Sequence, residues 1–392
     1  MAPQRGSAVS RAASPLPGDV VHVLVTSDTL SGVWTYTREL VTGLVTRGVL
    51  VTLVSFGEIP LPSQTAWMDG LHGLQYRPTG FGLDWMQERE QDVPESAAYL
   101  TALVHELKPD VLHLNQLCYG NLKVRVPRIV VAHGDLVSWW KAVHGHEPNG
   151  NRWIQRYRRV VAEGICNASM LVAPTVWMLD SVRGSYGRAR CEKVIYNGRN
   201  PIFFNPFASK DHSVLAVGRL LDAGKQVSLL TQYEHPLPVC IVGSDDPVCT
   251  PMVPIRADVK VSTGDLRVAL KGPQTEAQLR ALYSRAAIYA ATSRYEPFGM
   301  APLEAALSRC AIIANDIPPL RELWGEDALY FRANDAESLA AVIMRVSRQR
   351  DLCRGYGNRA YQRARECFNS NRMIDQYLQL YRDVLSTRAA AA

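Results

Sequence analysis

The chain has 392 residues, too many for one ordinary core, so two domains are the expectation. Its composition, 47% hydrophobic and 20% charged, is that of a soluble globular protein. The net charge of +6 comes without a basic run or recognition module, which argues against nucleic acid as a partner and permits an anionic ligand.

The eight cysteines, at 118, 166, 191, 240, 249, 310, 353 and 367, form no Cys-x-x-Cys and no Cys/His cluster with metal spacing. Reduced thiols and a cytoplasmic protein are expected. Residues 1–19 are small, polar and Pro-containing, with Arg5 and Arg11 but no apolar core. They read as a disordered lead and not as a signal peptide. No run approaches the roughly 20 apolar residues that span a bilayer. Residues 389–392 read as a frayed tail.

Residues 20–26 are continuously β-rich, as in a buried parallel strand. Residues 31–47 carry Val33, Tyr36, Leu40, Val41 and Leu44 at helical spacing, and Gly48 stops them. A second strand follows at 49–56. Residues 57–95 hold Gly, Pro and aromatics without a clear period and predict loops with short elements near a cleft. Next come a helix at 96–107, strands at 110–114 and 128–132, a basic helix at 152–166, a strand at 169–173, a helix at 176–186 and a strand at 193–196. Strands alternating with helices predict a doubly wound parallel sheet.

Residues 197–213, with Gly198, Pro201, Pro206 and three phenylalanines, read as an ordered linker. A second α/β series follows, with strands at 214–217, 238–242, 268–271, 286–291 and 311–314, and helices between them such as 278–285. From 335 the chain reads as helical, at 336–348, 351–366 and 373–385. Tyr377, Leu378, Leu380, Tyr381 and Val384 give the last helix a sticky face. Two similar sheets facing a cleft would bind ligands outside the carboxyl ends of their strands.

Residues 286–305 combine strand, loop and helix start, with Pro302 suited to the first helical turn. The N–H groups of Gly299, Met300 and Ala301, with the helix dipole, suit a phosphate. Glu296 lies in the loop and Glu304 in the helix, with seven residues between them. Leu303 and Ala305-Ala306-Leu307 bracket Glu304, a poor setting for a merely solvated carboxylate. Two carboxylates beside an anion site suit a ligand that is phosphorylated and rich in hydroxyls, such as a nucleotide sugar.

Gly218-Arg219 follows a strand, and Lys225 lies six residues beyond Arg219. A guanidinium fork and a compact ammonium suit the charge that develops on a diphosphate leaving group. His133 ends a strand of the opposite half, at the same cleft. Asp135 reads as an acceptor contact or a local turn cap. In Ser31-Gly32, the glycine lets backbone approach phosphate. Asn197-Gly198 reads as a turn with a hinge role. Trp139, Trp140, Lys141, Arg152, Trp153 and Arg156 form a basic, aromatic stretch. It suits a lipid headgroup, an anionic acceptor, or only a solvated helix beside buried aromatics. Asp245-Asp246 is adjacent, without Asp-x-Asp spacing, so no metal site is read.

Glu296-Pro-Phe-Gly and Leu303-Glu304-Ala305 resemble the E-x7-E signature of the retaining glycosyltransferases of family 4. The Gly-Arg…Lys element resembles that family too. The family usually has Lys-Gly where this chain has Lys225-Gln226, and often Gly-Gly where it has Ser31-Gly32. The resemblance implies an α/β GT-B architecture of two Rossmann-like, doubly wound parallel-sheet domains facing a central cleft. An acceptor-side domain would span 20–200, a linker 201–212 and a nucleotide-sugar domain 213–370. Residues 371–392 would cross back as a helix. It implies a nucleoside-diphosphate sugar donor, no cofactor and no metal. Arg219, Lys225 and the N–H groups of Gly299, Met300 and Ala301 would hold the diphosphate, with Gly32 nearby. Glu296 would orient the sugar, Glu304 would take the ribose hydroxyls, and His133 would contact sugar and phosphate. The loop at Gly272 would lie against the base. The leaving phosphate would take the acceptor's proton in a front-face reaction, or Glu296 would form a covalent intermediate. A nucleotide-sugar epimerase and a non-catalytic nucleotide-sugar or glycan-binding homologue are the alternatives. Acceptor, membrane contact and oligomeric state stay open.

Overall fold

The computed structural model describes residues 21–244 and 268–391. The expected disordered lead, Asp245-Asp246 and Cys249 lie outside the described residues.

Two parallel sheets form the frame. The first has seven strands in the order β3-β2-β1-β4-β5-β6-β7 and the second six in the order β10-β9-β8-β11-β12-β13. The first comprises β1 (His22–Asp28), β2 (Leu50–Phe56), β3 (Leu74–Pro78), β4 (Val111–Leu114), β5 (Arg128–Val131), β6 (Met170–Ala173) and β7 (Glu192–Val194). The second comprises β8 (Asp211–Val217), β9 (Val239–Val242), β10 (Val268–Lys271), β11 (Ala286–Ala291), β12 (Ala311–Asn315) and β13 (Leu329–Phe331). The orders match: each chain winds outward, returns to the fourth strand beside the first, and winds the other way.

The central strands are buried on both faces, as continuous apolar runs require. Helices cover both faces. In the first half they are α1 (Gly32–Val45), the one-turn α2 (Pro62–Thr65), α3 (Asp92–Leu107), α4 (Leu136–His144), α5 (Arg152–Asn167) and α6 (Val176–Tyr186). In the second they are α7 (Glu276–Arg285), α8 (Met300–Leu307), α9 (Pro318–Trp324), α10 (Ala336–Arg348) and α11 (Arg350–Cys367). The last helix, α12 (Ser370–Ala391), packs on the first half. Tyr377, Leu378, Leu380 and Tyr381 share a core with Val23, Val25, Tyr36 and Leu40. Inside it, His113 Nδ1 meets the Tyr381 hydroxyl at 2.8 Å.

Three differences from the sequence reading have physical causes. The stretch 57–95 holds a strand, β3, at the sheet edge; its half-buried residues alternate too weakly to show. Residues 136–144 form α4, whose Asp135 cap and glycine stop at Gly145 were hidden among aromatics. Residues 389–391 continue α12 where a frayed tail was expected. The described cysteines are free thiols. Among the described residues, no helix is long and apolar enough to cross a membrane.

Candidate functional site at the sheet switch points

The second half supplies the charged side of the site. β8 ends at Val217, and the chain then folds on Asp222 instead of entering a helix. Asp222 Oδ1 accepts from the N–H groups of Gly224 (2.8 Å) and Lys225 (3.3 Å), and Oδ2 pairs with Arg219 Nη2 at 2.7 Å. One carboxylate thus fixes both predicted cations. Gln226 has φ 50°, a left-handed conformation. It stands where the resembled family usually has glycine, the residue that adopts this conformation without strain.

β11 leads into the glutamate loop. Lys225 Nζ donates to Glu296 Oε2 at 2.7 Å, and Ser293 Oγ donates to the same oxygen at 2.8 Å. The loops are stitched together by backbone: Arg294 N donates to Gly224 O at 2.9 Å, and Thr292 Oγ1 to Lys225 O at 2.8 Å. Gly299 caps α8 at φ 89°. A side chain there would be strained, and its Cβ would press on Glu296 Cγ at 3.1 Å and Pro302 Cγ at 3.2 Å. The first-turn N–H groups of a helix have no intrahelical acceptor, so those of Met300 and Ala301 are available to an anion.

The first half supplies a neutral wall. His133 follows β5, and its Nε2 lies 2.9 Å from Asn115 Oδ1. Asn115 spends its amide on Thr26 O at 2.6 Å, so Oδ1 is the acceptor and His133 Nε2 carries the proton. Burial pulls the His133 pKa down to about 3, which keeps the ring uncharged. α1 opens at Gly32 behind a Ser31 cap, whose Oγ accepts from Val33 N at 3.1 Å. Gly32 faces Met300 across the gap; a Cβ at Gly32 would lie 3.7 Å from Met300 Cγ. Two helix N-termini, those of α1 and α8, therefore meet there.

Asp135 is a cap. Its Oδ1 accepts from Val137 N (2.9 Å), Ser138 N (3.0 Å) and the Tyr186 hydroxyl (2.7 Å). Gly272 follows the edge strand β10, where a Cβ would meet no described residue within 4 Å. Trp139 and Trp153 of the aromatic stretch are core residues, in one cluster with Tyr157.

Glu304 is 9% exposed and forms an ion pair with Arg199 Nε at 2.9 Å. Burial raises its pKa, and the Arg199 charge works against that rise. Sequence reading missed Arg199, which sits in the Asn197-Gly198 turn. It also missed Tyr295, inside the glutamate loop, whose hydroxyl crosses to the first half. That hydroxyl accepts from Asp135 N at 3.1 Å and lies 2.8 Å from Ser138 Oγ. Other ties across the gap are Thr175 Oγ1 to Pro297 O at 2.9 Å and the N-terminus of α6 to Glu322, at 2.7 Å from Val176 N. An aromatic in a signature loop flanked by polar residues was the available signal. Beside this seam lies a cavity of about 300 Å³, lined by Val143 and His144 of one half and Leu220, Ala223, Gln226 and Arg294 of the other. Among the described residues, no group of three or more His, Cys, Asp or Glu is placed to hold a metal ion.

Two family models abut along the chain. The model described as Glycosyltransferase Family 4 matches residues 30–202, and that described as Glycosyl transferases group 1 matches residues 202–363. The α-maltose-1-phosphate synthase of Mycolicibacterium smegmatis is 26% identical over 306 residues, 69% of this chain and 76% of that protein. Among solved structures, sucrose-phosphate synthase from Thermosynechococcus elongatus has a TM-score of 0.75 at 19% identity, over 94% of this chain and all of that one. Anabaena Alr3699/HepE in complex with UDP-glucose has a TM-score of 0.70 at 17% identity, over 93% of this chain and 99% of that one. With the paired sheets and abutting matches taken together, the chain belongs to the family 4-like glycosyltransferases of GT-B fold.

Proposed function

We propose that the protein transfers a hexosyl-type sugar from a nucleoside-diphosphate sugar to an acceptor hydroxyl, with retention and without a metal ion. The observation that carries this reading is the 2.7 Å contact of Lys225 Nζ with Glu296 Oε2 beside the α8 N-terminus. A phosphate-binding cation and a hydroxyl-binding carboxylate then stand side by side, as a sugar joined to a diphosphate requires. The UDP-glucose bound by the Anabaena neighbour supports the donor class.

Arg219, Lys225 and the N–H groups of Gly299, Met300 and Ala301 hold the diphosphate and take up the charge of the leaving group. Glu296 accepts sugar hydroxyls and sets the anomeric carbon. Neutral His133 and the α1 N-terminus at Gly32 face the donor from the other half. Glu304 receives the ribose hydroxyls. The leaving phosphate oxygen accepts the acceptor's proton, so no protein base is needed. The seam across Tyr295 excludes water, which would otherwise hydrolyse the donor.

The test is incubation with a panel of nucleotide sugars, with and without candidate acceptors, following free nucleotide. Acceptor-dependent release that persists in EDTA, with product of the donor's anomeric configuration by NMR, is expected. An altered sugar on intact nucleotide would indicate epimerisation instead. Binding without turnover across the panel would indicate a non-catalytic homologue.

A further inference from the structure

We propose that Arg199 is a positioning residue: from the hinge between the two halves it holds Glu304 in place for the ribose and ties it to α1 of the opposite half. The inference rests on the reading of Glu304 as the ribose carboxylate.

The chain crosses between the halves twice, after β7 and before α12, and the two crossings meet at Arg199. Arg199 N donates to Phe368 O at 3.0 Å, and Ser370 N to Arg199 O at 3.2 Å. Gly198 is forced by this approach, since a Cβ there would lie 2.4 Å from Asn369 O. The side chain is 1% exposed. A guanidinium without water must be neutralised by what surrounds it.

Three carboxylates do so, and they come from different bodies. Arg199 Nη1 meets Glu39 Oε1 of α1 at 2.5 Å, Nη2 meets Glu276 Oε1 of α7 at 3.2 Å, and Nε meets Glu304 Oε1 of α8 at 2.9 Å. Glu39 also accepts from Asn200 N at 3.2 Å. Glu276 is shared with Arg38 of α1 and Arg280 of α7. Burial works to raise the Glu276 carboxyl, but the Arg38 hydrogen bond and the three guanidinium charges bring it down to about 2. The cluster is balanced, three guanidiniums against three carboxylates, and Arg199 is the member that reaches the donor site.

Arg199 pairs by charge with Oε1 of Glu304. It also keeps that carboxyl from rising further. The groups facing Glu304 are Arg199, Arg38 of α1, Glu276 and the Tyr283 hydroxyl of α7, and Tyr289 of β11. With Arg199 made neutral, Glu304 keeps its burial and loses its main cation. It then titrates higher, and as an acid it can no longer accept two hydroxyls. Ribose recognition in such a variant returns as pH rises, whereas the unaltered protein needs no such rise.

The experiment is calorimetric binding of UDP and GDP, each against its 2′,3′-dideoxy analogue, from pH 6 to 9, with thermal melts alongside. The unaltered protein is expected to prefer the ribose form by on the order of 10-fold or more, the size of hydrogen bonds to a charged acceptor. No preference there overturns the ribose reading of Glu304, and this inference with it. In Arg199→Gln the preference is expected to fall to about 3-fold or less at neutral pH and to recover toward pH 9, a response that lost packing alone does not give. Arg199→Lys keeps a charge but not the fork, and is expected to retain an intermediate preference without the pH dependence. If Arg199→Gln does not fold, the Lys variant decides alone. Undiminished preference in a folded Arg199 variant overturns the proposal.

Discussion

The two halves share a strand order and differ in what they place at the switch point. In the first, β1 runs through Asp28 and Ser31 into a capped fourteen-residue helix, and the Asp28 carboxylate is spent on Ser31. In the second, β8 runs into a loop wound on Asp222, with only a short turn at Val227–Thr231, and two cations project from it. The same topology thus makes a neutral wall and a charged one. A capped helix offers N–H groups at a fixed place, whereas an Asx-folded loop carries side chains to a point the helix could not reach.

That contrast breaks most sharply at the cations. Lys225→Ala or Arg219→Ala is expected to lower turnover by on the order of 10²-fold or more, the loss of one leaving-group stabiliser. Steady-state release of nucleotide with near-normal rates in both variants would remove the charged wall from the mechanism. The equivalent change on the neutral wall, Gly32→Ala, meets only an ordinary contact with Met300 and should act mainly on KM.

Next in size is the seam. Tyr295→Phe deletes the hydroxyl that joins the halves at Asp135 and Ser138. One or two lost hydrogen bonds are worth about 1–2 kcal/mol, so donor hydrolysis without acceptor should rise relative to transfer by roughly 5- to 30-fold. A ratio of hydrolysis to transfer equal to that of the unaltered enzyme would show that the seam does not exclude water.

The pH response separates the walls further. His133 and His113 have pKa values pulled down to about 3, by burial in both and, in His113, also by the repulsion a protonated His133 would exert. Their unfolded pKa is about 6.5, so the unfolded chain binds protons that the folded one refuses. Stability from these groups is full above about 6.5 and is lost as pH falls toward 3. Melting temperature should decline over that window, and less steeply in His133→Asn. The smallest effect belongs to Gln226→Gly, which relieves a left-handed glutamine and should change stability by about 1 kcal/mol or less. A drop in turnover there would reveal a substrate contact through the side chain.

Much of this was legible in the sequence, for reasons that differ by residue. Central strands such as β1, β8, β11 and β12 are buried on both faces and announce themselves as apolar runs. The edge strands β3 and β13 are short or half-buried and do not. The cations and glutamates of the second half stood out because charge next to a strand end has few other uses. Arg199 and Glu276 did not, since a surface ion pair and a hinge cluster look alike until residues 77 and 238 positions apart are brought together. The resemblance supplied the ligand roles, which periodicity and spacing leave open.

The final helix has one more consequence. Because Tyr377 and Tyr381 complete the core around His113, neither half is expected to be self-sufficient when expressed alone. A fragment that stops before Ser370 exposes an aromatic-sized groove along α1, and one that begins at the second sheet carries an orphaned greasy arm. Truncation mapping of this protein would therefore report aggregation where it sought modules, and a circular permutant keeping α12 beside α1 is the sounder way to divide it.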